Sequence, residues 1–266
     1  RVRLLGPYAR VMSPPKPPRP RRVAALYDVH GNLPALDAVL AEISRLDIDL
    51  IVVGGDVAWG PLPRDTVDRL RELETATFIR GNVDREVIER ADENDGLASD
   101  VADINLWCAD ELGDERLTWM TTFRERAIVN VEGLGPTLFC HGSPRSDEEM
   151  LTVATPADRM SEALSDVKEA TIVCGHTHMQ FDIERNGHRV VNAGSVGLPY
   201  EEKPGAYWAL LGPDVELRRT SYDIDAAVRS MADSGCPHVD LVFVEAIRQS
   251  PPQEEVIKHF EELAKH

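Results

Sequence analysis

Long apolar runs are missing from this 266-residue sequence, because no uninterrupted segment approaches the ~20 residues that a membrane-spanning helix requires. Cysteine is also scarce, with four residues, no C-x-x-C pair and no dense spacing. We therefore expect no membrane partner and no disulfide scaffold, and we predict reduced thiols in a cytoplasmic protein. The remaining composition, 42% hydrophobic and 28% charged, is typical of a globular domain.

Basic residues are outnumbered by acidic ones, 29 to 46, which gives a formal net charge of −17. The first 22 residues depart from this balance, since they carry seven basic side chains, no acid and the proline-rich stretch SPPKPPRPRR. This composition predicts that residues 1–22 form a disordered basic extension. The acidic remainder disfavours phosphate neutralisation, so no duplex nucleic acid is expected as a partner.

Five short β-prone segments each end at a polar residue of a metal-binding type. They are VAALYDVH (23–30), LIVVGGD (50–56), TATFIRGN (75–82), TLFCH (137–141) and TIVCGH (171–176). Apolar residues at helical spacing predict helices over 32–46 and 66–73, between the first three segments. This alternation of strands and helices predicts βαβ units in an α/β fold.

The rest of the chain predicts further helices and an antiparallel region. The helices are expected around 84–91, 99–123 and 156–169. Asn186-Gly187 predicts a hairpin within 181–192, which the segments YWALL and VELRRTSYD would extend. We place one domain at 23–222 and a C-terminal helical tail at 223–266. The last helix, in PPQEEVIKHFEELAKH, is open to three interpretations: a free tail, a docking helix or a contact in a homo-oligomer.

Ligands of open α/β sheets bind beyond the carboxyl ends of the strands, so the polar residues there are expected to converge. They are Asp28, His30, Asp56, Asn82, Asp84, His141, His176 and His178. Within Asp28/His30 and His176/His178 the spacing i, i+2 at a strand end directs both side chains to one side. Mixed carboxylate, imidazole and amide ligands favour Mn²⁺, Fe, Zn²⁺ or Ni²⁺ over an all-oxygen Ca²⁺ site. The set suits two ions that share a carboxylate, and their positive charge favours a phosphate substrate.

These motifs resemble those of the calcineurin-like metallophosphoesterases, in the same order and across about residues 23–220. The matching motifs are D-x-H at 28–30, G-D at 55–56, G-N-x-D at 81–84, the single His141 and G-H-x-H at 175–178. The flanking segments GDVAWGPLP (55–63) and NAGSVGLP (192–199) look most like the small bacterial and archaeal branch of predicted phosphodiesterases that includes the YfcE-type enzymes.

The resemblance implies a four-layer α/β/β/α sandwich with mixed sheets inside and helices outside. It also implies a centre of two divalent transition-metal ions, with Mn²⁺ favoured. The implied ligands are Asp28, His30 and His178 on one ion, Asn82, His141 and His176 on the second, and Asp56 as the bridge. Such a centre hydrolyses a phosphodiester or phosphomonoester by in-line attack of a bridging hydroxide. Asp56, Asn82 and His141 are the implied catalytic residues, and the substrate class is a small phosphate ester, nucleotides included.

Two positions depart from the family pattern. Val83 stands where many members have a histidine that protonates the leaving group, and Ser143 stands where some have a second histidine. Since a general acid commonly contributes ~10²–10⁴-fold, we expect turnover to depend on the metals, on a substrate with a good leaving group or on a bound water as the acid. Asp84 is expected to support its loop. Asn32 and Arg85 are our predicted substrate-binding residues, as holders of phosphate oxygens.

Two other functions fit parts of the sequence. AGSVG (193–197) approximates the nucleophile elbow of a serine hydrolase with Ser195 as nucleophile, but the elbow requires a helix directly afterwards, and Gly197 and Pro199 predict a loop. A non-catalytic scaffold that binds a protein partner is the second alternative, because the family includes one. The complete set of metal-binding residues favours an enzyme.

Overall fold

The computed structural model describes residues 19–265. Residues 1–18 of the predicted basic extension therefore lie outside the described residues. The end of that segment contacts the domain: the backbone N–H of Arg21 donates to Asp49 Oδ2 at 2.7 Å, and the N–H of Glu132 donates to the carbonyl of Pro20 at 3.0 Å.

Ten strands form two mixed sheets. The first contains β1 (Val23–Leu26), β2 (Leu50–Val53), β3 (Ala76–Phe78), β9 (Ala206–Leu211) and β10 (Val215–Thr220). The second contains β4 (Arg126–Val131), β5 (Gly135–Cys140), β6 (Thr171–Cys174), β7 (Phe181–Arg185) and β8 (His188–Asn192). The strand orders are β10-β9-β1-β2-β3 and β4-β5-β6-β8-β7. In each sheet three adjacent strands run parallel to one another. They are β1, β2 and β3 in the first sheet and β5, β6 and β8 in the second.

The α-helices follow the predicted order. They are α1 (Leu33–Ile43), α2 (Pro63–Arg71), α3 (Asn82–Glu89), α4 (Ser99–Met120), α5 (Ala157–Ala163), α6 (Ile224–Ala232), α7 (Glu245–Arg248) and α8 (Gln253–Leu263). A 3-10 turn covers Glu93–Asp95, a π-helical turn covers Asp240–Val244, and α4 bends at Gly113. Within the described range, no helix combines the length and the apolar character needed to cross a bilayer.

Three apolar cores separate four layers. One core joins the first sheet to α1, α2, α4 and α6. A second core lies between the two sheets, where Tyr27 and Val52 of one sheet share a cluster with Phe139 and Val173 of the other. The third core joins the second sheet to α5 through residues such as Met160. This arrangement confirms the α/β/β/α sandwich with helices outside.

One prediction about the antiparallel strands was wrong, and one strand was not predicted. Instead of extending the hairpin of β7 and β8, β9 and β10 belong to the first sheet, where β9 pairs with β1. All six residues of β9 are buried, and a strand buried on both faces is most stable inside a sheet. No strand was predicted over 126–131, where β4 forms. The apolar and polar residues of this segment alternate weakly, since an apolar residue, Ile128, is 60% exposed.

Candidate metal centre

The strands that carry the motifs end at one edge of the sandwich, three from the first sheet and two from the second. Beyond those ends, five residues have left-handed backbone conformations: Asp28 (φ 54°), His30 (φ 48°), Asp56 (φ 53°), His176 (φ 66°) and His178 (φ 58°). Since β1 and β6 end at Leu26 and Cys174, strand alternation does not orient these side chains as expected. Tight turns with left-handed backbone conformations orient these side chains instead. Such conformations in non-glycine residues concentrate at functional sites.

One group of potential ligands surrounds Asp28. Asp28, His30, Asp56 and His178 are all buried, and each offers a ligand atom within 4.8 Å of the others. The Nε2 atoms of His30 and His178 lie 3.1 Å apart. The Nε2 of His178 also lies 3.5 Å from Asp28 Oδ1. These distances suit several ligands around a single cation.

A second group shares Asp56 with the first. Asp56, His141 and His176 again offer ligand atoms within 4.8 Å of one another. His141 Nε2 lies 3.2 Å from Asp56 Oδ2 and 3.2 Å from Asn82 Oδ1, which adds the amide oxygen to this group. Among the described residues, Asp56 alone belongs to both groups, as the predicted bridge requires.

Backbone carbonyls orient the imidazole rings, which sequence reasoning missed because a carbonyl leaves no mark in the sequence. Nδ1 of His30, His141 and His178 lies 3.0, 2.9 and 2.7 Å from the carbonyls of Trp59, Gly54 and Leu198. Each Nδ1–H donates there, so each Nε2 faces the centre. His176 is reversed: its Nε2–H donates to the carbonyl of Glu148 at 3.1 Å and leaves Nδ1 as the ligand atom.

This donor set fits divalent transition metals, by two observations. Two Nε2 lone pairs 3.1 Å apart repel unless a cation lies beside them. In addition, Asp28 Oδ1 is buried and has no hydrogen-bond partner among the described residues, whereas Oδ2 accepts from the N–H of His176 at 3.0 Å. A buried carboxylate oxygen without a partner is costly, and a metal ion would satisfy it.

The electrostatic environment sets the protonation of these groups in the metal-free protein. Burial, with the nearby His178, lowers the pKa of His30 to about 4, and burial with His141 lowers the pKa of His176 to about 4. Both rings are therefore neutral at pH 7, as ligation requires. Burial opposes ionisation of Asp56, but His141 outweighs it and lowers the Asp56 pKa. The same contact raises the pKa of His141 to about 10 against the effect of its burial.

Asp84 holds the loops together and is not placed as a ligand. Its Oδ2 accepts from the N–H groups of Asp56 (2.8 Å) and Gly81 (3.1 Å), and its Oδ1 accepts from the N–H of Val57 (2.9 Å). Burial, followed by the charge of Asp56, raises the pKa of Asp84 to about 7. Gly81 is required beside it, because an added Cβ would lie 1.9 Å from Asp56 Oδ1.

A family model for the calcineurin-like phosphoesterase superfamily domain matches residues 22–212. The chain belongs to this superfamily. The match ends before α6 begins at Ile224, so the three C-terminal helices of the chain lie outside the matched region. The narrower assignment to the YfcE-type branch stays a prediction.

The chain is distantly similar to several individual proteins. It is 26% identical over 238 residues to an uncharacterised protein of Methanocaldococcus jannaschii, covering 81% of this chain and 93% of that one. A crystal structure of a metallophosphoesterase from Sphaerobacter thermophilus is 26% identical, with a TM-score of 0.68 over 86% of this chain and 99% of that one. A hypothetical protein of Pyrococcus horikoshii is 19% identical and shares the fold, with a TM-score of 0.73 over 84% and 97%.

The two predicted substrate-binding residues lie in different environments. Asn32 is buried and caps α1: its Oδ1 accepts from the N–H of Ala35, and its Nδ2 donates to Gly197 O (2.9 Å) and to the hydroxyl of Tyr222 (3.1 Å). These bonds occupy the whole amide, so the structure does not place Asn32 to hold phosphate. Arg85 lies nearer the site, where its guanidinium forms ion pairs with Asp147 and Glu148.

Ser195 is not placed as a nucleophile. It is fully buried, its hydroxyl donates to the carbonyl of Asp28 at 2.7 Å, and it accepts from the N–H of Leu198 at 2.7 Å. No helix follows it, since the next regular element is β9, which begins at Ala206. Ser195 therefore fixes the loop that carries Leu198, whose carbonyl orients His178.

Two clefts open beside the centre. A cleft of about 620 Å³ begins at His141 and is lined by four arginines and four carboxylates: Arg80, Arg85, Arg126, Arg145, Glu125, Asp147, Glu162 and Asp166. A cleft of about 430 Å³ begins at Asn82 and His176 and is bounded by Leu263 and Ala264 at the end of α8. The C-terminal helix thus forms one wall of an approach to the centre, a role that its sequence did not reveal.

Proposed function

We propose that this protein is a dinuclear metal-dependent phosphoesterase that hydrolyses a small phosphate ester, with Mn²⁺ as the favoured ion. The observation that carries this proposal is the pair of ligand groups that share Asp56. Two divalent ions bound there would supply a nucleophilic hydroxide at neutral pH and stabilise charge on the phosphoryl oxygens. Asp28 and Asp56 contribute the two carboxylates of the proposed ligand set, so the loaded centre keeps positive charge that favours phosphate.

Residues of the second group are positioned to stabilise the charge that develops on phosphate. The Asn82 amide and the His141 ring adjoin one another, and His141 lies beside Asp56. His141 lines the arginine-containing cleft and Asn82 lines the second cleft. Val83 follows Asn82 and offers no proton to a leaving group. A substrate whose leaving group departs without a general acid therefore suits this site best.

The proposed location is the cytoplasm. All four cysteines lie within the described residues as buried, unpaired thiols. Burial raises the pKa of the Cys108 thiol well above its usual range, so this thiol stays protonated. Such thiols are typical of a reducing compartment.

A screen of metals against substrates tests the proposed function. Purified protein loaded with Mn²⁺, Ni²⁺, Zn²⁺ or Mg²⁺ is assayed with bis(p-nitrophenyl) phosphate and with p-nitrophenyl phosphate, and we expect Mn²⁺-dependent hydrolysis that a chelator abolishes. Asp56→Asn should abolish activity, because it disrupts the bridge, and His178→Ala should lower the bound metal. His238→Ala is the matched control, since that imidazole pairs with Asp103 on the surface.

Two outcomes would contradict the proposal. Full activity with one ion per chain in Asp56→Asn or His178→Ala would refute the two-ion centre. Failure of the metal-loaded protein to hydrolyse any phosphate ester would refute the enzymatic function and favour the scaffold.

A further inference from the structure

The cleft that begins at His141 is larger than the reacting phosphate needs. Its volume of about 620 Å³ lies within the range of ~300–1,000 Å³ that is common for pockets of whole small-molecule ligands. Arg80 and Glu125 flank the isolated bridge between β3 and β4, and Arg126 begins β4. The cleft is thus built from the junction between the two sheets, next to a proposed metal ligand.

The balance of positive and negative side chains along the cleft differs from that of the whole molecule. Four arginines and four carboxylates line it, whereas the whole chain carries a formal net charge of −17. Two of the arginines are committed to carboxylates: Arg85 pairs with Asp147 and Glu148, and Arg145 donates to both oxygens of Glu149.

The other two arginines keep unused donors. Arg126 donates to the carbonyl of Pro144 at 3.2 Å and forms no ion pair with a carboxylate among residues 19–265. Arg80 lies 3.9 Å from Glu125, whose side chain is 86% exposed, so that this contact contributes little. The Nε of Arg80 is buried, but the side chain is 29% exposed, so that its terminal nitrogens are the donors left to a ligand. A guanidinium carries five N–H donors in a planar fork that matches phosphate oxygens.

We infer that Arg80 and Arg126 bind a second phosphate group of the substrate while its reacting phosphate lies at the metal centre. The substrate class is therefore a phosphate ester with two separate phosphate groups, such as a nucleoside bisphosphate. This inference rests on the proposed function, because it takes the metal centre as the site of the reacting phosphate. It assigns a role in substrate selection to residues outside the metal-binding motifs.

Calorimetry on the Mn²⁺-loaded protein tests the inference without any need for turnover. The titrants are adenosine 3′,5′-bisphosphate and adenosine 5′-monophosphate. We expect the bisphosphate to bind about tenfold or more tightly, since one charge-assisted hydrogen bond is commonly sufficient for such a ratio. In Arg126→Gln and in Arg80→Gln the ratio of the two affinities should fall to about twofold or less, because each variant lacks one of the two guanidinium groups that bind the second phosphate.

Arg145→Gln is the matched control, since it removes the same charge from the same cleft but from a guanidinium that Glu149 already occupies. It should retain the preference for the bisphosphate. Thermal melting of each variant verifies that the fold is intact.

Three results would overturn the inference. They are equal affinities in the wild type, a preference that survives in both Arg80→Gln and Arg126→Gln, and a loss of equal size in Arg145→Gln, which would indicate general charge attraction. Because binding is measured without turnover, a protein that prefers the bisphosphate but hydrolyses no ester would refute the proposed function and leave the role of this cleft standing.

Discussion

Val83 lies next to the metal centre, at the position where many members of the family have the histidine that acts as a general acid. Its backbone N–H donates to Asp56 Oδ1 at 3.2 Å, and its half-buried side chain packs against the core between the first sheet and the helices. The backbone of this residue therefore supports the proposed bridge, while its side chain contributes packing and no proton.

Val83→His should restore a proton donor beside the centre. We expect kcat for an unactivated ester such as a methyl phosphodiester to rise about 10- to 100-fold, and kcat for a p-nitrophenyl ester to change little, because p-nitrophenolate leaves without protonation. Val83→Gln, which is polar but no acid at neutral pH, is the control. An unchanged rate for the unactivated ester would show that another group already supplies the proton.

The proposed metal ligands could be predicted from the sequence, whereas the backbone groups that orient them could not. Asp28, His30 and the other proposed ligands belong to short motifs of metal-binding residue types that recur after five strand-like segments. The carbonyls of Trp59 and Leu198, which orient His30 and His178, belong to a backbone that every residue has. Asn32 shows the converse error, because an asparagine next to a motif is equally suited to cap a helix.

At the scale of elements, α8 connects the C-terminal segment to the centre. Glu261 pairs with Arg159 at 2.7 Å and accepts from the hydroxyls of Thr152 (2.6 Å) and Thr155 (3.0 Å). Phe260 lies 6.0 Å from Tyr200, which in turn stacks on the ring of His178 at 5.1 Å. The helix is therefore docked on its own domain, which among the three interpretations favours the docking helix.

Glu261→Gln should loosen α8, because it removes the charge that holds Arg159 in a largely buried pair. We expect amide hydrogen exchange in residues 253–263 to accelerate about tenfold or more, which corresponds to ~1.4 kcal/mol of local opening free energy. Exchange in α1 should stay unchanged.

The neighbouring Glu262→Gln is the control for this variant. Glu262 is exposed and lies 4.0 Å from Lys258, so its replacement should have little effect on exchange. Equal exchange rates in the two variants would show that the Glu261 contacts do not hold the helix.

Element types were predictable from the sequence where local pattern decides them, as in α1 and α8. Sheet membership was not, because the partner of a strand depends on tertiary packing. The run AYWALL predicts a buried strand equally well beside β8 or beside β1, and its apolar residues on both faces place it against β1. The end of α5 at Ala163, before the predicted 169, likewise depends on how Leu164 packs into the core beneath.

At the scale of the whole molecule, metal loading should stabilise the fold, since only the folded chain assembles the two ligand groups. At 100 times its dissociation constant a single bound ion adds about 2.7 kcal/mol, which corresponds to a rise in Tm of about 5–10 °C for a chain of this size. Differential scanning fluorimetry with and without Mn²⁺ measures this rise. His178→Ala should reduce the rise and His238→Ala should preserve it.

The rise in Tm on addition of Mn²⁺ should be larger at pH 8 than at pH 6. In the metal-free protein the raised pKa of His141, about 10 against 6.5, stabilises the fold fully below pH 6.5 and progressively less toward pH 10. Metal binding instead requires the neutral ring, so the affinity for the ion increases with pH. A rise in Tm that is equal at both pH values, or smaller at pH 8, would contradict ligation by His141.

The left-handed backbone conformation of five proposed ligands lowers the stability of the fold but places the ligands at the metal centre. An L-residue in this conformation costs about 1 kcal/mol relative to glycine, so the five together approach the ~5–15 kcal/mol net stability of a typical domain. Glycine at His30 or His178 would relax the backbone and delete the ligand in the same step. Engineering or selection for stability alone would therefore erode the centre first, and a catalytically silent descendant would be the more robust protein.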